Sequence, residues 1–107
     1  MNLYFKKGDF TMKSIKDENT DLLMSAILTL KTKEECYNFF EDLCTIAELK
    51  SMSQRIEVAK MLREKSVYTD IASKTGASTA TISRVNKCLN YGSDGYTMVL
   101  DRLSEDE

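Results

Sequence analysis

YTDIASKTGASTATISRVNKCLNY, residues 68–91, is the stretch whose reading decides the fold. YTDIASKT, residues 68–75, is about two helical turns long. Gly76-Ala77-Ser78 interrupts it, and a helical pattern resumes at Thr79. Two short helices joined by a three-residue turn at a glycine make the helix-turn-helix pattern. Its demands are steric. The helices cross steeply, so a small residue must stand at their contact, and Ala72 supplies it. The turn needs a positive φ, which Gly76 adopts without a Cβ penalty. Ile71, Ile82 and Val85 fall where three apolar side chains must interlock beneath the two helices.

The remaining face of the second helix is Ser78, Thr79, Ala80, Thr81, Ser83, Arg84 and Lys87. Short hydroxyls let a helix approach base edges and phosphates closely. Ala80 and the threonine methyls suit a thymine methyl, and an arginine can hydrogen-bond guanine O6 and N7. A helix N-terminus favours phosphate. The expected roles follow. Thr79, Ala80, Ser83, Arg84 and Lys87 read or grip the major groove of double-stranded DNA, Lys74 and Ser78 hold phosphate, and Thr81 belongs to the same DNA-binding surface. An ordinary helical hairpin with a serine cap accounts for Ser78 but not for the whole outer face.

Outward from the motif, every readable pattern is helical. Residues 20–31, TDLLMSAILTLK, carry a stripe of Leu22, Leu23, Ala26, Ile27 and Leu30, with Met24 and Leu28 adding apolar surface beside it. A helix apolar nearly all round needs cover on most sides, which one small chain does not readily supply. Thr32 with Glu35, then Thr45 with Glu48, have capping-box spacing. They predict one helix to about Cys44, with Cys36, Phe39, Phe40 and Leu43 on its apolar side. A sharp corner and a helix to about Lys65 follow, the latter with a stripe of Leu49, Met52, Ile56, Ala59 and Leu62. Tyr37 joins Phe39 and Phe40 as expected core of a dimer. After the motif, Gly92 is the expected C-cap. Ser93 is the expected cap of a last helix with Tyr96, Val99, Leu100 and Leu103 on one face.

Composition agrees with an all-α class. The chain has 107 residues, no proline and four glycines. No apolar run reaches the roughly 18 residues of a membrane span, and the start MNLYFKKGDF lacks the apolar run of a signal peptide. Residues 1–16 are expected to be a tail, with Met12 as an alternative start, and 17–105 a helical domain. Cys36, Cys44 and Cys88 form no CxxC pair and histidine is absent, so reduced thiols in a cytoplasmic protein, with no metal and no cofactor, are expected. Cys36 and Cys44 share a spacing of eight, which reads as packing on one helix face. Absence of histidine removes the commonest general base, and no catalytic constellation is present; no enzyme is expected. Net charge is −2. Its distribution is uneven: residues 50–87 hold eight basic and three acidic residues, a local excess of +5.

TDIASKTGASTATISRVNKCL, residues 69–89, is similar to the DNA-reading segment of the Trp repressor family. That family shares a glycine-alanine turn followed by an A-T-I-[ST]-R helix. EECYNFFEDLCT at 34–45, QRIEVAKML at 54–62, GASTATISRV at 76–85 and CLNYGSDGY at 88–96 resemble its Trp-repressor-like subfamily of Gram-positive bacteria. The resemblance covers about residues 20–104. It implies six helices and an intertwined homodimer whose reading helices sit about 34 Å apart on a near-palindromic site. It also implies a candidate effector pocket between two arginines, here Arg84 and, in a register needing one residue fewer before the motif, Arg55. The family's ligand there is L-tryptophan. Its tryptophan-binding member has glycine after the second arginine, and Val85 stands there instead. That departure argues against a tryptophan pocket.

The reading is therefore a cytoplasmic, homodimeric, sequence-specific DNA-binding transcription regulator acting as a repressor. Its rival is the same helix-turn-helix used as a protein-interaction module on another regulator or a polymerase, without DNA affinity, which the overall acidity favours.

Overall fold

The computed structural model describes residues 16–106. These form six helices: α1 (Glu18–Ile27), α2 (Lys33–Leu43), α3 (Ile46–Arg63), α4 (Tyr68–Thr75), α5 (Thr79–Tyr91) and α6 (Gly95–Glu105). No strand occurs among the described residues, so the class is all-α. The tail expected over 1–16 lies, apart from Lys16, outside the described residues. The chain divides into two compact units, one ending at Leu49 and one starting at Lys50.

In the first unit the helix boundaries are set by capping. Asp17 caps α1 by accepting the Thr20 amide at 2.7 Å. The helix expected over 20–31 stops at Ile27. The next cap supplies the reason: Thr32 is extended and accepts the Glu35 amide at 3.0 Å, while the Glu35 carboxylate takes the Lys31 amide at 2.8 Å. The backbone at 31–32 is thus committed to starting α2 and cannot continue α1. At Thr45 the box is fully reciprocal, with Thr45 N–H to Glu48 Oε1 at 2.8 Å and Glu48 N–H to Thr45 Oγ1 at 3.1 Å. Only Cys44 and Thr45 separate α2 from α3. Cys44 is the extended residue closing α2, so it does not share a helix face with Cys36 as its spacing had suggested. Neither α1 nor α2 contains a buried residue. Phe39 and Phe40 meet edge to face at 5.4 Å, but Tyr37 is 67% exposed and Leu28 84%. The apolar side chains expected to be core are thus at best half-buried in the single chain.

The second unit has a core of Val58, Ala59, Ile71, Ala77, Ile82, Val85 and Leu100, with Ile56, Met61, Leu62, Ala72 and Tyr96 packed against it. Fully burying a valine or isoleucine stabilises by about 1.5–3 kcal/mol. Ile71, Ile82, Val58 and Val85 are the largest side chains so buried. Val58 lies off the stripe expected for α3, whereas Met52, on that stripe, is exposed. The apolar residues of α3 do not fall in one narrow line, and the packing of α4 and α5 selects which of them is covered.

α3 ends two residues before Lys65. Ser66 N–H bonds to Met61 O and Lys65 N–H to Leu62 O, both at 3.0 Å, and Lys65 has φ 69°. This is a Schellman closure with lysine where glycine is usual. Gly92 closes α5 as expected, but at φ −88° and not in the left-handed region. Its requirement is close approach: a Cβ there would lie 2.4 Å from the Cys88 carbonyl oxygen. Asp94, not Ser93, precedes α6; it has φ 65° and makes no side-chain cap bond. On α6, Leu100 is buried and Tyr96 packs on the core, while Val99 and Leu103 remain exposed.

Candidate nucleic-acid interface

α4, the turn and α5 follow the helix-turn-helix pattern. Gly76 has φ 77° and ψ 4°, and its N–H closes α4 on the Ala72 carbonyl at 2.9 Å. The turn is braced by Thr75, whose hydroxyl donates to the Ile71 carbonyl at 2.8 Å and accepts the Ala77 amide at 3.1 Å. Ala77 turns inward and is 5% exposed, so it belongs to the core as well as to the turn. Beneath the helices, Ile71, Ile82 and Val85 interlock as expected, each at most 1% exposed.

Ser78 is extended and opens α5. Its hydroxyl oxygen accepts the Thr81 amide at 3.1 Å and donates to the Thr81 hydroxyl at 3.1 Å. Thr81 is half-buried, and its hydroxyl accepts from the Ser78 cap, so it is less open than its neighbours on α5. The other expected residues are on the surface: Lys74 on α4, Ser78 at the cap, and Thr79, Ala80, Ser83, Arg84 and Lys87 on α5. Successive helical residues turn by about 100°, so Ala80, Arg84 and Lys87 project close together, with Ser83 beside them. Tyr91 continues the same face and is 77% exposed. Its spacing from Ala80, Arg84 and Lys87 is helical, which makes this position legible in the sequence. Between Asp70 and Asp94 the chain has no acidic residue. This surface therefore carries positive charge without an internal carboxylate to offset it.

The two arginines of the candidate effector pocket sit in different settings. Arg84 is exposed on α5, and Arg55 is partly covered on α3, where it donates to Ser51 Oγ at 2.8 Å. The α3 arginine that reaches the C-terminal helix is Arg63, which pairs with Asp101 and donates to the Thr97 carbonyl at 3.3 Å. An open groove of about 640 Å³ lies there, lined in part by Leu62, Arg63, Asn86 and Leu89 and by neither Arg55 nor Arg84. Val85 is inside the core, so the space a glycine would leave beside α5 is filled by the chain itself. Among the described residues no group of three or more His, Cys, Asp and Glu could hold a metal ion. No helix there is long and apolar enough to cross a membrane. Cys36 and Cys44 are free and half-buried, and Cys88 is free and exposed.

A family profile described as Trp repressor protein matches residues 18–104. The chain is 58% identical over 93 residues to YerC of Bacillus subtilis (strain 168), an uncharacterized protein; the match covers 87% of this chain and 89% of that one. A crystal structure of a TrpR-like protein from Eubacterium eligens is 61% identical, with a TM-score of 0.83 over 86% of this chain and 95% of that one. A crystal structure of a candidate Trp repressor from Staphylococcus aureus is 50% identical, also with a TM-score of 0.83, over 87% of this chain and 93% of that one.

Proposed function

The chain belongs to the Trp repressor family, and from that premise we propose that it is a sequence-specific DNA-binding transcription regulator, acting as a homodimeric repressor. One observation carries this reading. The helix-turn-helix buries Ile71, Ile82 and Val85 and leaves a face of Thr79, Ala80, Ser83, Arg84 and Lys87 exposed on α5, with no acidic residue from Ile71 to Ser93. Small side chains permit close approach to the major groove, and the two cations give attraction to phosphate or to guanine. Lys74 and Ser78 flank the turn, where phosphates would pass.

The homodimer is supported by the first unit. α1, its closing residue Leu28 and α2 expose Leu22, Leu28, Tyr37 and Leu43, and neither helix holds a fully buried residue. Large apolar side chains left exposed in this way suit an interaction site, and a second copy placed by a two-fold axis would pair like with like. Two reading helices then meet two half-sites of a near-palindrome about one DNA turn apart. Burial of Val85 argues against an L-tryptophan pocket between Arg55 and Arg84, so DNA binding is expected without that ligand.

Selection of the purified protein on a pool of random duplexes at physiological salt, with and without L-tryptophan, tests the reading. Recovery of one palindromic motif in both conditions supports it. Recovery only with tryptophan overturns the statement about Val85. No enrichment in either condition overturns DNA recognition and favours the rival use of the motif to hold another protein.

A further inference from the structure

The Gln54 side chain reaches from α3 to the turn itself: its Nε2 donates to the Thr75 carbonyl at 3.2 Å, across 21 residues of sequence, and the contact is partly buried. The acceptor fixes the orientation of the amide, because a carbonyl oxygen can only accept. Thr75 is the last residue of α4, and its carbonyl is among those that helix geometry leaves without an intrahelical partner. The same Nε2 lies 3.9 Å from where a Cβ on Gly76 would stand, so the amide rests against the turn and does not merely pass it.

The bond completes a small network. The Thr75 hydroxyl joins the Ile71 carbonyl behind it to the Ala77 amide ahead of it, and the Thr75 carbonyl is held from α3. Ser78 follows directly and opens α5. Apolar packing of Ile71, Ile82 and Val85 holds the helices together but is not directional. A hydrogen bond is, since it weakens steeply when its angle departs from the preferred range.

We propose that Gln54 is a positioning residue for DNA reading: it sets the turn, and through it the direction in which α5 presents Ala80, Ser83 and Arg84. It makes no claim on the DNA. The proposal rests on the DNA-binding reading above. Removing the bond loosens the angle of α5, so specific contacts are lost while phosphate attraction, which tolerates small rotations, persists.

The test uses the full chain with Gln54→Glu, which keeps the shape and loses the donor, and Gln54→Lys, which keeps a donor of similar reach. Affinity is measured for the duplex recovered by selection and for random duplex, together with thermal unfolding and amide exchange at Ala77 and Ser78. For Gln54→Glu the expected result is a fall of about three- to tenfold in the ratio of specific to random affinity, in line with one net hydrogen bond. Faster exchange confined to the turn is also expected. Gln54→Lys restores the ratio; its added charge moves both affinities together. An unchanged ratio in Gln54→Glu overturns the proposal, as does equal loss on both duplexes or a loss that Gln54→Lys shares. If the unsubstituted chain selects no duplex, the DNA reading fails and this proposal fails with it. That outcome is distinct from failure at Gln54 alone, where the unsubstituted chain selects a duplex and Gln54→Glu binds it as well.

Discussion

Ser78 and Thr81 are joined twice: the Ser78 hydroxyl oxygen accepts the Thr81 amide and donates to the Thr81 hydroxyl, each at 3.1 Å. Two of the hydroxyls that make α5 look built for DNA are thus spent on starting the helix. On the proposed DNA reading, Thr79, Ala80 and Ser83 with Arg84 and Lys87, all exposed, remain for a base edge.

Structural and recognition roles at Ser78 should therefore separate. Ser78→Ala is expected to lower stability by about 1 kcal/mol through loss of the cap. Ser78→Asp keeps a cap acceptor and should hold stability within about 0.5 kcal/mol of the unsubstituted chain, yet it sets a negative charge where phosphate would approach and should weaken DNA binding. Urea unfolding beside DNA titration checks the pair; a stable Ser78→Asp with unchanged DNA affinity counts against a phosphate at this helix start.

Arg84 is exposed and holds nothing in the core, so Arg84→Ala should leave stability within about 0.5 kcal/mol. Specific affinity should fall by about 1–3 kcal/mol if the guanidinium takes a guanine through two bonds. Titration of the selected and random duplexes separates the cases: equal loss on both identifies a phosphate contact.

Gly76 and Lys65 both close helices in the left-handed region, at φ 77° and 69°. Glycine pays no steric penalty there and lysine does. Gly76→Ala should destabilise by about 1 kcal/mol, although nothing nearer than 3.9 Å would meet the new methyl. Lys65→Gly should stabilise by up to about 1 kcal/mol. Denaturation midpoints decide both signs, and a destabilised Lys65→Gly would show that the lysine side chain contributes more than its backbone costs.

Ile82 is fully buried under the motif and Ser83 beside it is exposed. Ile82→Ala is expected to cost about 2–5 kcal/mol, and Ser83→Ala no more than about 0.5 kcal/mol. Comparable losses at the two sites, read by thermal unfolding, would contradict the packing described.

Asp17 caps α1, and the Thr20 backbone amide and then its side chain hold the carboxyl below its ordinary range. A carboxyl lowered in the folded state stabilises above its unfolded pKa and loses that contribution as pH falls through the folded value. The start of α1 should therefore fray on acidification, and Asp17→Ala should remove that part of the pH dependence. The Thr20 amide chemical shift followed from neutral to acid pH reports it; identical titrations with and without Asp17 would refute it.

Sequence by itself determined the local structure wherever a residue type has one steric or hydrogen-bonding use. Thr32 with Glu35 and Thr45 with Glu48 marked helix starts because their side chains reach amides three residues away. Gly76, spaced from Ala72 and Ile82, marked the turn because few other residues adopt that φ. Ile71, Ile82 and Val85 were legible as core from the same spacing. The exposure of Thr79, Ala80, Ser83, Arg84 and Lys87 on α5 was legible too, whereas Thr81 is half-buried with its hydroxyl in the cap. Tertiary structure decided the rest. Val58 and not Met52 is buried, because α3 has apolar residues in several directions and its neighbours choose among them. Gln54 reads as an ordinary polar helix residue until folding brings its amide to the Thr75 carbonyl. Periodicity fixes what a segment can bury or bond; only the arrival of another segment fixes which of those options is used.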